Sequence, residues 1–188
     1  MIRKAEKKDL SRIAEILVFD KRMNYRSIFK NDDYSFHVLQ VLDVAKEYAQ
    51  PEILDHIFVY DDGIVKGLIH LEQTEIAEFY VDHFFQNQGI GAALMEYAKQ
   101  EHRADHLWVL EKNERAIRFY EAHGFSLSGQ RRLEAGTTEY VIKMLAIEWQ
   151  LEEENRMNKR KGALFLTLCL LLAGCGQGAG AETNVETE

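Results

Sequence analysis

"QNQGIGAAL", Gln86–Leu94, sits between two stretches of opposite character. Upstream, "IAEFYVDHFF" has the β-branched and aromatic content of a buried strand; downstream, "AALMEYAKQEH" has the apolar spacing of a helix. The turn itself is polar, holds two glycines and carries no cationic side chain. Glycine permits backbone conformations and close approaches that a Cβ forbids. A helix start leaves unpaired N–H groups and a partial positive charge, which suits an anion. Gln86 to Ala92 therefore reads as a cradle of main-chain donors for a diphosphate. Two nucleotide motifs fail here: a P-loop needs Gly-Lys-Ser/Thr where Ala92-Ala93 follows Gly91, and a dinucleotide fingerprint needs a small residue where Leu94 stands. A helix-initiating turn with no ligand fits the same letters, so the motif alone leaves both readings open.

Working outward, "KKDLSRIAEILVFDKRM" spaces Leu10, Ile13, Ile16, Leu17 and Met23 as a helix, with Asp9 or Ser11 placed to cap it. "DDYSFHVLQVLDVAKEYA" reads as a second helix, apolar at Phe36, Leu39, Leu42, Val44 and Ala45, with Pro51 marking its exit. "ILDHIFVYDDGIVKGLIHLEQT" is a hairpin about Asp61-Asp62-Gly63. The helix after Gly91 is expected to bury Ile90, Leu94, Met95 and Tyr97. "DHLWVLE" is a strand, and "NERAIRFYEAHG" a helix with Asn113 at its start and Gly124 past its end. "FSLSGQRRLEAGTTEYVIKML" closes the order with a hairpin about Ala135-Gly136. With "MIRKA" as a first strand, the sequence β-α-α-β-β-β-α-β-α-β-β predicts an α/β (α+β) fold, a mixed sheet with helices on its faces.

The bulk numbers narrow the function. A chain of 188 residues is about one domain's worth, and a single proline argues against linker-rich architecture. A formal net charge of −8 disfavours nucleic acid as a partner, because phosphates are neutralised by clustered Lys and Arg. Both cysteines, Cys169 and Cys175, lie near the C-terminus, so the body contains no disulfide, thiol nucleophile or thiolate metal site; this composition suits the cytoplasm. The seven histidines show no metal-ligand spacing, and no metal is expected.

Composition changes after Gln150. Residues 1–150 form the expected domain, 151–156 a polar linker, and 157–188 a different kind of sequence. That last segment opens with Lys159, Arg160 and Lys161, runs apolar from Ala163 to Ala173, and reaches Leu172-Ala173-Gly174-Cys175. This is the layout of a secretory signal, and its ending resembles the lipobox of bacterial lipoproteins. The apolar run of about a dozen residues is short of the roughly 20 that span a bilayer. One reading makes Met157 the start of a neighbouring lipoprotein gene joined in frame; the other makes the segment a membrane-touching tail. A membrane is a partner only if this segment belongs to the protein.

Two constellations together carry a family resemblance. "VDHFFQNQGIGAAL" resembles the Q/R-x-x-G-x-G/A acetyl-CoA segment of the GNAT N-acetyltransferases, and "NERAIRFYEAHGF" resembles their N-x-x-A-x-x-F-Y-x-x-x-G-F segment. The resemblance covers nearly all of residues 1–145. It implies a mainly antiparallel central sheet, splayed at the strand that binds acetyl-CoA, and transfer of an acetyl group from that co-substrate to an amine. The acceptor class, a small molecule or a peptide, is left open. A homodimer is also open, since dimers are frequent in this family.

The resemblance also assigns roles. Phe79, Tyr80 and Val81 would pair with the pantetheine arm, with the Val81 N–H aimed at the thioester carbonyl. Gln86, Asn87, Gln88, Gly89, Ile90, Gly91 and Ala92 would surround the diphosphate, and Asn113 would contact the pantetheine. Tyr120 matches the tyrosine that protonates the departing thiolate; by pattern alone it also suits a helix core beside Phe119. For the base that frees the amine, Glu78 is the candidate, with Glu72 and Glu75 behind it; solvated charges on a strand edge fit equally. The chain departs from the family pattern at His83, where proline is common. It departs again at Gln86-Asn87-Gln88, where Arg or Lys is usual, so Lys112 or Arg115 is expected to help and coenzyme affinity to be weaker. Residues 23–48, with Tyr25, Tyr34, Phe36 and His37, are expected to cover the acceptor; a helical core explains them equally well. Two other classes remain in view, a non-catalytic acyl-CoA sensor and a version tethered through the tail.

Overall fold

Strand β3 (Val65–Glu72) is buried along almost its whole length because both of its faces are covered. In the computed structural model, which describes residues 1–148, it is an interior strand, third in a seven-stranded sheet. The strands are β1 (Ile2–Lys4), β2 (Ile57–Asp61), β3, β4 (Glu75–Val81), β5 (His106–Leu110), β6 (Phe125–Leu133) and β7 (Tyr140–Ala146), in the order β1-β2-β3-β4-β5-β7-β6. Every neighbouring pair is antiparallel except β4 and β5, whose parallel pairing requires a crossover. The compact unit spans Met1–Ile147, and the expected linker 151–156 and signal-like segment 157–188 lie outside the described residues. Among the described residues no helix is long and apolar enough to cross a membrane.

Helix α1 (Leu10–Phe29) covers one face, burying Ile13 and Leu17 against Leu68 of β3 and Tyr80 of β4. Helix α4 (Ile90–His102) covers the other and approaches so closely that a Cβ on Gly67 would stand 3.2 Å from Leu94 and 3.3 Å from Ile90. Two short helices, α2 (Val41–Tyr48) and α3 (Pro51–Leu54), lead into the sheet, and α5 (Glu114–Ala122) connects β5 to β6. In α4, Ile90, Leu94 and Met95 are buried as expected. Tyr97 is not: it is half-buried against Phe58 and His102, and Ala98 takes the core position.

Two local expectations need correction. The single helix expected over 32–49 is broken: a π-helical turn at Tyr34–Val38 is separated from α2 by Leu39 and the extended Gln40. Arg22 supplies the reason, donating from Nε to the Ser35 carbonyl (2.7 Å) and from Nη2 to the Leu39 carbonyl (2.8 Å). These bonds replace helix-interior ones, so Phe36 and Leu42 face outward while Leu39, Val44 and Tyr48 are buried. Pro51 follows the end of α2 at Tyr48, as expected, and also opens α3, where its missing N–H costs nothing. Neither Asp9 nor Ser11 caps α1; the Asp9 carboxylate turns back to the Glu6 N–H (2.9 Å) and to Arg3, and Ser11 lies inside the helix.

Candidate active site

The parallel pairing of β4 with β5 consists of Glu75 with His106 and Ile76 with Leu107, and there it stops. The cause lies on the other edge of β4. Opposite β3, His70 pairs with Glu78 but Leu71 pairs with Ile76, leaving Ala77 as an extra residue. Such a bulge bends its strand and ends regular pairing on the side it turns from. Beyond it, the Asp82 N–H donates to the Lys66 carbonyl on the β3 side (2.9 Å). Because peptide groups alternate along an antiparallel strand, Tyr80 also faces β3, whereas Phe79 and Val81 turn their N–H and C=O groups toward the opened β5 side.

That opening is a cleft of about 480 Å³. Its floor is β4 from Glu75 to Val81, its far wall is β5 and α5, and one end is the glycine turn. The turn takes its shape from two left-handed residues, Asn87 (φ 60°) and Gly89 (φ 82°). Asparagine and glycine are the residues that tolerate that region. Helix α4 then starts with no side-chain cap, so the first-turn N–H groups are left for something else to bond. Gly91 is also required sterically, since a Cβ there would meet the Phe119 ring at 3.2 Å.

Most of the sequence-derived candidates line this cleft: Glu78, Phe79, Tyr80, Val81, Gln86, Asn87, Gly89, Gly91, Ala92, Asn113 and Tyr120. Two do not. The Gln88 side chain reaches back to the Phe84 carbonyl (3.4 Å), and the Ile90 side chain is buried in the core, so each offers only its main chain. Asn113 caps α5, its Oδ1 accepting the Ala116 N–H (3.3 Å). Phe79 stacks on Phe119 (5.3 Å between centroids) and meets the edge of Tyr120 (6.2 Å). Burial pushes the Tyr120 hydroxyl well above the usual phenol value, so it stays protonated at any physiological pH. Of the two cations expected to help at the turn, Arg115 lines the cleft and donates to Gln86 Oε1 (2.6 Å), while Lys112 is paired with Glu139 (2.7 Å) on the outside.

At the α1 end the side chains form a charged and aromatic wall. Glu78 accepts from Lys21 (2.9 Å) through one oxygen and from the Tyr48 hydroxyl through the other. Burial pulls the Lys21 ammonium down, but the Glu78 carboxylate outweighs it and the net displacement is upward. Tyr25 and Tyr34 line the cleft as expected, joined by Phe29, whereas Phe36 and His37 face away from it. Asp20 and Lys21 were not singled out by the sequence, because acids and lysines on a helix read as its solvated face. Their signal is visible only in hindsight: Asp20 falls three and four residues after the buried Leu17 and Ile16, on the inward stripe of α1. Histidine spacing missed one group as well. His56, His70 and Glu72 converge to within 4.8 Å across the β2–β3 pair, with the Glu72 carboxylate bonded to both rings.

A parallel crossover opening at a bulged strand, with a glycine turn below it and a tyrosine across it, defines an acyltransferase-type cleft. The comparisons agree. The model of the acetyltransferase (GNAT) domain family matches residues 54–127. The peptidyl-lysine N-acetyltransferase YiaC of Escherichia coli (strain K12) is 30% identical over 128 residues, covering 68% of this chain and 84% of that protein. By structure, apo-form YjaB from Escherichia coli superposes with a TM-score of 0.63 at 18% identity, over 78% of this chain and 97% of that one. The PaiA N-acetyltransferase from Thermoplasma acidophilum, solved in complex with coenzyme A, gives 0.57 at 18% identity, over 76% and 96%. The chain belongs to the GNAT acetyltransferase family, and its class of activity is acetyl-CoA-dependent acyl transfer.

Proposed function

We propose that this chain moves the acetyl group of acetyl-CoA directly onto a primary amine of a small molecule or a peptide. The observation that carries this reading is the opened edge of β4, where the Phe79 and Val81 peptide groups face a cleft that runs to the uncapped start of α4. The donor set fits the co-substrate. A pantetheine arm offers amides that pair with a free strand edge, and a diphosphate suits first-turn N–H groups with Arg115 beside them. Gln86, Asn87 and the main chain of 88–92 form that diphosphate end, and Asn113 borders the arm.

The acetyl thioester supplies an activated carbonyl. This chain's own residues do the rest. The Val81 N–H bonds the carbonyl oxygen as charge develops on it, a contact that strengthens toward the transition state. Tyr120, kept protonated by burial, gives its proton to the leaving sulfur. Glu78 and Asp20 are the two cleft carboxylates on the α1 side that can receive a proton from the acceptor. YiaC is named for peptidyl-lysine, which makes a lysine peptide the first acceptor to try.

The test is acetyl-CoA titration by calorimetry, followed by thiol release against a set of primary amines. Saturable binding with amine-dependent release supports transfer. Binding with no release from any amine favours an acyl-CoA-sensing module, and no binding removes the reading altogether. The tail carries a separate proposal: the lipobox-like Leu172–Cys175 stretch belongs to a lipoprotein signal starting at Met157. Intact-mass measurement of the cellular product decides it, since a single unlipidated chain of full length rules the fused signal out.

A further inference from the structure

We infer that Asp20 is the group that meets the acceptor: its carboxylate binds the incoming primary ammonium at the α1 end of the cleft and takes the first proton from the nitrogen. This assignment rests on the transferase reading above and names the residue that the sequence did not.

Placement comes first. Asp20 is only 8% exposed, yet it lines the same cleft as Val81 and Tyr120. The amide nitrogen of Gln86 donates both to the Val81 carbonyl (2.9 Å) and to Asp20 Oδ1 (3.3 Å). The carboxylate is therefore one bridging amide away from Val81, the residue whose N–H is proposed to polarise the thioester.

Charge comes second. Glu78 is already neutralised by Lys21 at 2.9 Å and accepts a second bond from Tyr48, so an ammonium drawn to it would have to displace a buried cation. Asp20 is held by two neutral amides, Asn24 (2.9 Å) and Gln86. Arg115, the cation on α5, spends its bond on Gln86 rather than on the carboxylate. Asp20 thus presents a negative charge with no ion pair among the described residues. Further along the same cleft stand Tyr25, Phe29 and Tyr34 in successive edge-to-face contacts (5.7 and 5.8 Å). A carboxylate in a cleft that also carries aromatic rings favours an alkylammonium, whose apolar stem the rings can cover.

Proton affinity agrees. Burial pushes the Asp20 carboxyl up to about 6, with Asp82 adding to the rise and Asn24, Arg115 and His83 opposing it. Tyr25 on α1 and Tyr120 on α5 also face it, and both stay protonated because burial raises them. Asp20 is then mainly ionised at neutral pH and still basic enough to share a proton with an attacking amine.

The step balances as follows. One N–H proton of the ammonium passes to Asp20, and the freed lone pair forms the C–N bond at the acetyl carbon. The carbonyl π pair moves to oxygen under the Val81 N–H and returns as the C–S bond breaks, and the sulfur takes a proton from Tyr120. A second N–H proton restores Tyr120, and Asp20 releases the first one to solvent. The net change is amine acetylated, thiol formed, one proton released.

The test uses the full chain with saturating acetyl-CoA. The acceptor probes are an N-terminally blocked lysine peptide, a peptide with a free N-terminus, spermidine and kanamycin. For the best probe, wild-type kcat/KM falls as pH drops below about 6. Asp20→Asn loses that inflection and about 100-fold in rate, with KM for acetyl-CoA within about twofold, as expected when only a proton transfer is removed. Asp20→Glu recovers part of the rate, and Glu78→Gln lowers the rate but keeps the inflection. The assignment is overturned if Asp20→Asn keeps both rate and inflection while Glu78→Gln loses them. It is also overturned if an uncharged hydroxylamine is accepted in preference to every ammonium probe. If Asp20→Asn does not bind acetyl-CoA by calorimetry, the wild-type inflection and Asp20→Glu decide alone: no inflection, or a glutamate variant as dead as a misfolded one, counts against. Wild type that binds acetyl-CoA and acetylates no probe brings down the transferase reading itself, which is a different result.

Discussion

Burial acts on Tyr120 and Asp20 in the same direction, making both hold their protons more tightly than in water. For the phenol this preserves an acid at the point where a thiolate leaves. Tyr120→Phe should therefore lower kcat by about 10²-fold with little change in acetyl-CoA affinity, checked by thiol-release kinetics and calorimetry. For the carboxyl, burial carries a cost in stability. Its folded value of about 6 lies above the unfolded 3.8, so the folded chain binds more protons between those limits and loses stability as pH rises through them. At about 1.36 kcal/mol per pH unit the penalty at neutral pH is about 3 kcal/mol, against about 1 kcal/mol for the hydrogen bond that an amide would lose. Asp20→Asn is then expected to melt higher than wild type at pH 7 and no higher at pH 3.5. A melting difference independent of pH would mean that the carboxylate is not desolvated. A residue that destabilises the chain in its ionised form while facing the cleft fits a chemical role better than a packing one.

At the scale of the element, the bulge at Ala77 decides where binding can occur, because it releases β4 from β5 after two residue pairs. The prediction concerns individual amides. In hydrogen exchange, Tyr80 and Asp82, bonded to β3, should be slow with or without ligand, while Phe79 and Val81 should exchange quickly alone and slow down with acetyl-CoA. Equal protection of all four in the free protein would remove the strand-edge site. The elements here divide by how locally they are encoded. The turn at Gln86–Ala92, the Asn113 cap and the Asp-Gly hairpin were legible because glycine, asparagine and apolar spacing act within a few residues of where they stand. The break at Leu39–Gln40 was not, since its cause is a guanidinium contributed from α1, and the apolar rhythm runs straight through it. The bulge was equally silent, because it is a register shift between two strands and neither strand marks it alone. Half of the cleft follows the first rule, and the acceptor wall follows the second. Asp20, Lys21 and Glu78 meet only because α1 crosses β4.

For the molecule as a whole, the site depends on α1 being held over the sheet, and its N-terminal end is fixed by charge rather than by a cap. Arg3 of β1 donates twice to Asp9 (2.7 and 2.9 Å), at the entry to α1, and twice to Asp61 (2.7 and 3.0 Å), at the end of β2. Asp9 and Asp61 also accept the backbone N–H groups of Glu6 and Gly63 (both 2.9 Å), so one guanidinium joins the first strand, the first helix and the β2–β3 hairpin. The hydrogen bonds from Arg3 hold both carboxyls below the usual range and raise the guanidinium. Arg3→Met keeps the stem and removes the fork, leaving a buried Asp9 without its counter-ion. The loss should be about 2 kcal/mol at pH 7, below the range for fully buried pairs because Arg3 and Asp61 remain partly solvated. Its pH dependence runs opposite to that of Asp20. With folded values depressed, the carboxylates contribute above the ordinary carboxylate range and lose that contribution as pH falls through their folded values. The gap between wild type and Arg3→Met, read from urea midpoints, should therefore be widest at neutral pH, shrink as pH falls below the ordinary carboxylate range, and close only once both aspartates are protonated in the folded wild type as well. Acetyl-CoA binding to the folded variant should weaken only slightly, because the strand edge and the turn lie on the far side of β3 from this clamp. A large loss of affinity with little loss of stability would show instead that the placement of α1, and with it Asp20 and Gln86, is set by this one arginine.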